Sequence, residues 1–333
     1  MKKITQPIVI TMGDPSGVGV EITLKAWKNS KIKKPFFLIH DYAYVQAVAK
    51  KMKINVPLKI IYEPKEALKQ CKKFLPIYQM DVGKKTKLGK PSKQNANVIL
   101  KSIDLALKFI QDGKASAMVT NPIAKDIVNH ASKNFSGHTE YLAKKSKSKN
   151  FCMMLINASI RVIPLTIHMP LKKVSQSINK DLIRDTLKII NQSIINDFGI
   201  KKPKILVTGL NPHAGENGLL GDEEINIIAP AIKTLKKTIK AYGPISADSA
   251  FTPDNLKKYD AVLCMYHDQA LIPIKTIDFY NTVNYTAGLN VIRTSPDHGT
   301  GFDIAKKFIA NESSLVAAIK SAAEIVNSRQ NNT

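Results

Sequence analysis

The chain has 333 residues, 44% of them hydrophobic, and a formal net charge of +24. That length suits two domains or one large α/β unit, and that apolar fraction excludes disorder over most of it. No apolar stretch approaches the roughly 20 residues of a membrane helix, and no long apolar run follows the basic start Met1-Lys2-Lys3-Ile4, so neither a membrane span nor a signal peptide is expected. Three well-separated cysteines, Cys71, Cys152 and Cys264, make no disulfide framework and fit a reducing cytoplasm. The charge invites a nucleic-acid reading, but only four of the 50 basic residues are arginine: Arg161, Arg184, Arg293 and Arg329. Base and phosphate readers lean on the arginine fork. The lysines scatter over helix faces, with short runs such as Lys84-Lys85, and no aromatics interleave with them as in a single-strand groove. No nucleic-acid partner is expected; the lysine excess reads first as a habit of composition, and attraction of anionic substrates is the lesser reading.

Short apolar runs alternate with helical patterns, which predicts an α/β fold with a largely parallel sheet. Pro7–Met12 reads as a strand that enters the glycine-rich turn Gly13–Gly19, and a helix follows over Val20–Trp27. Phe36–Ile39 and Leu58–Tyr62 are further strands. Ser92 is placed to cap a long helix that Gly113 stops. Ala117–Thr120 is the next strand, followed by a helix that Pro122 initiates. An amphipathic run over Glu140–Lys147 follows Gly137-His138-Thr139. A strand pair is expected at Cys152–Ile156 and Val162–Ile167, and a helix that Asp181 caps and Gly199 ends. Ile205–Leu210 and Ala261–Met265 read as buried strands, Asp222–Ala231 as a helix, and Ser314–Val326 as the last helix before a fraying tail at Gln330–Thr333. No linker marks a domain boundary.

Three of the seven histidines end apolar runs: Leu165-Thr166-Ile167-His168, Val207–His213 and Leu263–His267. Ligands of open α/β sheets bind beyond the carboxyl ends of the strands. Three imidazoles there would suit one divalent metal with open positions for substrate; each alone reads first as a hydrogen-bonded loop residue. Asp268 and Asp248 stand ready as a further ligand or as carboxylates behind the ligands. A second set suits an anion. Gly137-His138-Thr139 precedes a helical run, whose first backbone N–H groups favour negative charge; His138 and Thr139 add donors, and Lys275, Asn284 and Arg293 lie downstream. Arg293, at a strand end, equally suits a pair with Asp297 or Asp303. The loops Gly13–Gly19, Asn211–Gly221 and Asp297–Gly301 each carry glycines that permit close approach of a ligand, but none is a Walker or Gly-x-Gly-x-x-Gly fingerprint.

Five segments in order resemble the 4-hydroxythreonine-4-phosphate dehydrogenase family of pyridoxal phosphate biosynthesis: Ile10–Ile22 (ITMGDPSGVGVEI), Ser136–Glu140 (SGHTE), Gly209–Glu216 (GLNPHAGE), Met265–Gln269 (MYHDQ) and Arg293–Thr300 (RTSPDHGT). The resemblance spans nearly the whole chain. It implies a fold like isocitrate and isopropylmalate dehydrogenases, with two α/β/α lobes and a cleft between them, here 1–135 plus 300–333 and 136–299. It implies a cytoplasmic homodimer with the active site at the subunit interface. It places a divalent metal (zinc, magnesium or cobalt) on His168, His213 and His267, substrate contacts on His138, Thr139, Lys275, Asn284 and Arg293, and a catalytic aspartate at Asp248. The implied reaction is NAD-dependent (NADP being possible) oxidation of 4-phosphooxy-L-threonine to 2-amino-3-oxo-4-phosphooxybutyrate, which decarboxylates to 3-amino-2-oxopropyl phosphate. Relatives acting on D-threonate or D-erythronate 4-phosphate share most of these motifs and supply the alternative substrate.

Overall fold

The computed structural model describes residues 6–29, 32, 34–83 and 86–331. The basic start, the Lys84-Lys85 pair and the last two residues lie outside them. Twelve strands are described: β1 (Ile8–Ile10), β2 (Phe36–His40), β3 (Leu58–Ile61), β4 (Leu75–Gln79), β5 (Ala117–Val119), β6 (Cys152–Ile156), β7 (Arg161–Pro164), β8 (Lys204–Thr208), β9 (Lys240–Ile245), β10 (Ala261–Cys264), β11 (Val283–Ala287) and β12 (Arg293–Pro296). By internal packing the chain divides into two units, Met1–Lys147 with Leu289–Asn331, and Ser148–Gly288. The resemblance implies crossings at 136 and 300; the packing puts them at 148 and 289.

In the first unit the strands run parallel in the order β3-β4-β2-β1-β5-β12. β1 and β2 are buried along their whole length, which is why they read as unbroken apolar runs rather than alternating ones. The Gly19–Asn29 helix packs against the helices Tyr42–Lys51 and Ser313–Asn331, and the last also covers β5 and β12. Ser92 does act as a cap, accepting from Gln94 N, but over the short 3-10 turn Lys93–Asn95 that leads into the Ala96–Gln111 helix. Connections from β1 leave toward β2 on one side while β5 pairs on the other. The strand order therefore reverses at the carboxyl ends of β1 and β5, the position at which open α/β sheets bind ligands.

In the second unit the order is β11-β6-β7-β10-β8-β9. β6 and β7 form an antiparallel hairpin, and β11 runs antiparallel to β6. Asn157 closes the hairpin, its Oδ1 accepting from Ser159 N and Ile160 N. β7, β10, β8 and β9 are mutually parallel, so their carboxyl ends share one edge. The Lys180–Phe198 helix packs on β6 and β11. Its cap is Asn179, accepting from Leu182 N at 2.9 Å, with Asp181 in the first turn; Gly199 ends it in the left-handed region at φ 71°.

Several boundaries differ from the sequence reading. The helix after Pro122 is confined to Lys125–Val128. Asp222–Ala231 begins instead as a π-turn, Glu224–Ile228, continued by α-helix over Ala229–Leu235. The last helix extends to Asn331, because its buried face of Leu315, Ala318, Ile319, Ala322, Ala323, Ile325 and Val326 anchors it well beyond what its propensity alone would hold. All three cysteines are free thiols.

Candidate active site

Two groups of side chains stand out, one in each unit. In the first unit Gly137 caps the His138–Lys145 helix with φ 154°. Arg293 is the first residue of β12 rather than the end of a strand. Its register partner on β5 is Met118, so its side chain reaches along the same face to Thr120. Nε and Nη2 both donate to Thr120 Oγ1, at 3.0 and 2.8 Å. The guanidinium is buried, 4% exposed. Burial lowers its pKa to about 10, with the Glu140 carboxylate opposing that shift. His138 is held well below the usual imidazole range, first by desolvation and then by the cations Arg293 and Lys125. Its ring is therefore neutral at physiological pH. Its Nε2 is shut off from solvent without a hydrogen-bond partner among the described residues, a state that costs free energy unless a ligand relieves it. Two cations and a neutral imidazole around one carboxylate make an anion-seeking cluster.

Lys125 was not singled out by the sequence. A Cβ added at Gly137 would stand 3.6 Å from its Cε and 3.8 Å from its Nζ, which places the ammonium at the start of the His138 helix. In a chain so rich in lysine no local pattern distinguishes it; only the fold brings it there.

At the strand-order reversal sits the Gly13–Gly19 loop. Gly13 is left-handed, φ 71°, and a Cβ there would stand 2.6 Å from the Asn121 Cβ. Asp14 is 1% exposed. Its Oδ1 accepts from Ser16 N at 2.9 Å, while Oδ2, like Asn121 Oδ1, is buried without a hydrogen-bond partner among the described residues. Desolvation pushes the Asp14 carboxyl up to about 6. The folded chain thus holds this proton more tightly than the unfolded one. The acid form's contribution is complete below pH about 4 and is lost as pH rises through about 6, at most about 3 kcal/mol for the shift. Asp14→Asn removes the desolvated charge. Its melting temperature should exceed that of the parent by several degrees at pH 8, and the two should coincide near pH 4. Equal melting temperatures at both pH values would mean that Asp14 carries no such cost.

In the second unit the shared edge of β7, β10, β8 and β9 carries four of the residues expected from sequence. His168 follows β7, His213 follows β8, His267 follows β10 and Asp248 follows β9. The His168 and His267 ring centroids lie 5.9 Å apart. His267 opens the His267–Ile277 helix, and its Nδ1 lies 2.6 Å from Asp268 Oδ1. A carboxylate there favours the Nδ1–H tautomer and leaves the Nε2 lone pair for a ligand. His168 and His267 line a hollow of about 500 Å³ with Met169, Tyr266 and Asp268. Asp248 lines a neighbouring one of about 460 Å³ that shares Tyr266 and Asp268. Asp248 is exposed; a hydrogen bond from Ser246 Oγ and the proximity of His213 hold its carboxyl below the usual range.

His213 sits in an unusual turn. From His213 to Asn217 five successive residues are left-handed, four of them not glycine. Each such non-glycine residue costs on the order of 1–2 kcal/mol, so the turn persists only where its surroundings over-determine it. Sequence reading saw the glycines of this loop but not its hand.

Among the described residues no three His, Cys, Asp or Glu side chains are gathered closely enough to hold a metal ion. The donor set of imidazoles and carboxylates nevertheless suits a borderline divalent cation, and the His267 tautomer suits ligation. Lys275 lies on the same helix as His267, its Nζ 5.4 Å from the centroid of the Phe279 ring. Asn284 is on β11, opposite Leu155, with its Oδ1 buried and without a hydrogen-bond partner among the described residues. Thr139 follows His138 in the first unit.

The model of the pyridoxal phosphate biosynthetic protein PdxA matches residues 31–322. The chain belongs to the PdxA family. It is 41% identical over 330 residues to the 4-hydroxythreonine-4-phosphate dehydrogenase of Zymomonas mobilis, covering 98% of this chain and 97% of that protein. The enzyme of the same name from Caulobacter vibrioides is also 41% identical, over 96% of this chain and 98% of its own length. The crystal structure of 4-hydroxythreonine-4-phosphate dehydrogenase from Klebsiella pneumoniae superposes with a TM-score of 0.86 at 32% identity, covering 96% of this chain and 99% of that one. PdxA proteins share the isocitrate dehydrogenase-like α/β fold, and this chain has it. No helix among the described residues is long and apolar enough to cross a membrane.

Proposed function

We propose that this PdxA-family chain is a dehydrogenase that oxidises 4-phosphooxy-L-threonine at C3 with NAD as hydride acceptor. The near-full-length likeness to dehydrogenases of that name carries the reading. The anion cluster of the first unit supports it, since the substrate bears a phosphate and a carboxylate.

Arg293, Lys125 and the helix start at His138 and Thr139 would take one anionic group of the substrate. Arg293 is already oriented by Thr120, so little side-chain entropy is lost on binding. The neutral His138 would offer its Nε2 to a ligand atom and relieve the unpaired nitrogen. Lys275 and Asn284 would take the other polar groups, with the Asn284 oxygen accepting from a donor such as the substrate amine. Such positioning supplies several kcal/mol of barrier reduction.

His168, His213 and His267 are proposed to hold one divalent cation, zinc, magnesium or cobalt, and the Gly13–Gly19 loop to lie against the nicotinamide cofactor. When bound, the cation lowers the pKa of the C3 hydroxyl and the cofactor accepts the hydride. Asp248, ionised and beside His213, is the proposed acceptor of the hydroxyl proton. The product is a β-keto acid, which loses CO2 to give 3-amino-2-oxopropyl phosphate.

A second copy of the chain is proposed to complete the site. In one copy the histidines are not gathered around a common point. Apolar side chains lining the two hollows are exposed, Leu171 at 69% beside His168 and His267 and Ile272 at 65% beside Asp248. Such a patch beside a site is what a symmetric dimer covers. A biosynthetic enzyme of this kind would work in the cytoplasm.

NADH formation by purified protein decides between substrates. The expected result is NADH with 4-phosphooxy-L-threonine and little with D-threonate or D-erythronate 4-phosphate. The opposite preference would keep the dehydrogenase and replace the substrate.

A further inference from the structure

Glu224 has no part in the chemistry above, yet it is among the most fully engaged carboxylates of the second unit. It is 3% exposed. Its Oε1 accepts from Leu210 N at 2.7 Å and from Asn211 N at 2.8 Å, and its Oε2 accepts from Asn211 Nδ2 at 3.0 Å. The same Asn211 Nδ2 donates to Glu223 Oε2 at 2.7 Å. The carboxylate is wedged between two glycines. A Cβ at Gly209 would stand 2.8 Å from Oε1, and one at Gly215 would stand 2.7 Å from Oε2. These contacts flank the left-handed turn that carries His213. Glu224 itself opens the π-turn Glu224–Ile228, a widened turn of the sort found at functional sites.

We propose that Glu224 is a positioning residue: its carboxylate, set between Gly209 and Gly215, holds the left-handed turn that aims His213 at the reacting centre. The hydrogen bonds go to the turn's entry at Leu210 and Asn211 and the close approach to its middle at Gly215, so the entry and the middle of the bend are tied to one rigid group. This assignment rests on the proposed role of His213.

The test is a double-mutant cycle with Glu224→Gln and His213→Ala. Glutamine keeps the shape and can still accept from Leu210 and Asn211 N, but its NH2 would oppose the Asn211 NH2. Two quantities are read: steady-state NADH formation, and the affinity for Co2+ alone by calorimetry. Glu224→Gln is expected to lower kcat at least tenfold, to change KM for 4-phosphooxy-L-threonine less than twofold, and to weaken Co2+ binding about tenfold. In the His213→Ala background it should add less than a factor of two to either loss. A carboxylate that merely supports the fold would lower both backgrounds equally, and that result overturns the assignment, as does an unchanged kcat. If His213→Ala leaves Co2+ affinity unaltered, the metal reading fails and the kcat cycle alone decides the positioning role. If His213→Ala also leaves kcat unaltered, Glu224 has nothing to position and the assignment is overturned. Should Glu224→Gln not fold, Asn211→Ala replaces it in the cycle, removing one of the three hydrogen bonds, with a smaller loss of the same non-additive form expected.

Discussion

Arg293→Lys is expected to lower kcat/KM for 4-phosphooxy-L-threonine about a hundredfold, and Arg293→Ala about a thousandfold, with most of the loss in KM. A hundredfold loss is about 2.7 kcal/mol, the scale of a charge-assisted contact removed from a desolvated site. The guanidinium is buried and donates twice to Thr120 Oγ1, which fixes its plane. An ammonium carries the charge but has neither that plane nor that anchoring, so lysine should restore little. Alanine would in addition leave the Thr120 hydroxyl without the arginine donors it now accepts from. The same substitution relieves His138 of a neighbouring cation, so the His138 imidazole should titrate at higher pH in Arg293→Ala. Steady-state kinetics with both variants, alongside melting curves to confirm folding, check this. Unchanged KM and kcat in folded Arg293→Ala would remove Arg293 from the substrate site and leave it a structural cation.

Chelation is expected to abolish NADH formation, and added Co2+ to restore it. His267→Ala should reproduce the loss, at least a thousandfold in kcat, and should bind Co2+ weakly. Asp248→Asn should separate the two properties. Its carboxylate is exposed and held ionised by Ser246 and by the nearby His213; removing the charge takes away a proton acceptor without taking away an imidazole. Turnover should therefore fall by about two orders of magnitude, in the range assigned to a general base, while Co2+ affinity stays within a few-fold. Full activity in chelator-treated protein and in His267→Ala would dismiss the metal and leave a dehydrogenase that activates its hydroxyl with side chains alone. Loss of Co2+ binding in Asp248→Asn would make Asp248 a ligand rather than a base.

What the sequence by itself determined is local. β-branched apolar runs that end in a polar loop mark β1, β7, β8 and β10, because a strand buried on both faces must be continuously apolar and its exit must return to solvent. That logic placed Gly13–Gly19, His168, His213 and His267 at strand exits, and the structure has them there. It failed where a strand carries residues that interrupt such a run. β4 contains Pro76 and β9 contains Gly243-Pro244. In β11, Asn284 and Thr286 alternate with Val283 and Tyr285. The His267–Ile277 helix has Pro273 inside it. Each is held by neighbours, not by propensity, which is a weak prior that packing overrides.

Only the tertiary structure decided which distant residues meet. Arg293 reaches Thr120 because β12 pairs with β5 across more than half of the chain, and that choice among parallel neighbours leaves no mark in local periodicity. Lys125 is one lysine among many until the fold sets it beside Gly137. Glu224 reads as a helix-start acid; it becomes the clamp of the His213 turn because Gly209 and Gly215, having no Cβ, let its carboxylate lie between them. The hand of that turn is likewise set from outside. Left-handed backbone at Ala214 and Glu216 is locally unfavourable, so no local rule predicts it, and it exists because buried hydrogen bonds from another element make the alternative costlier.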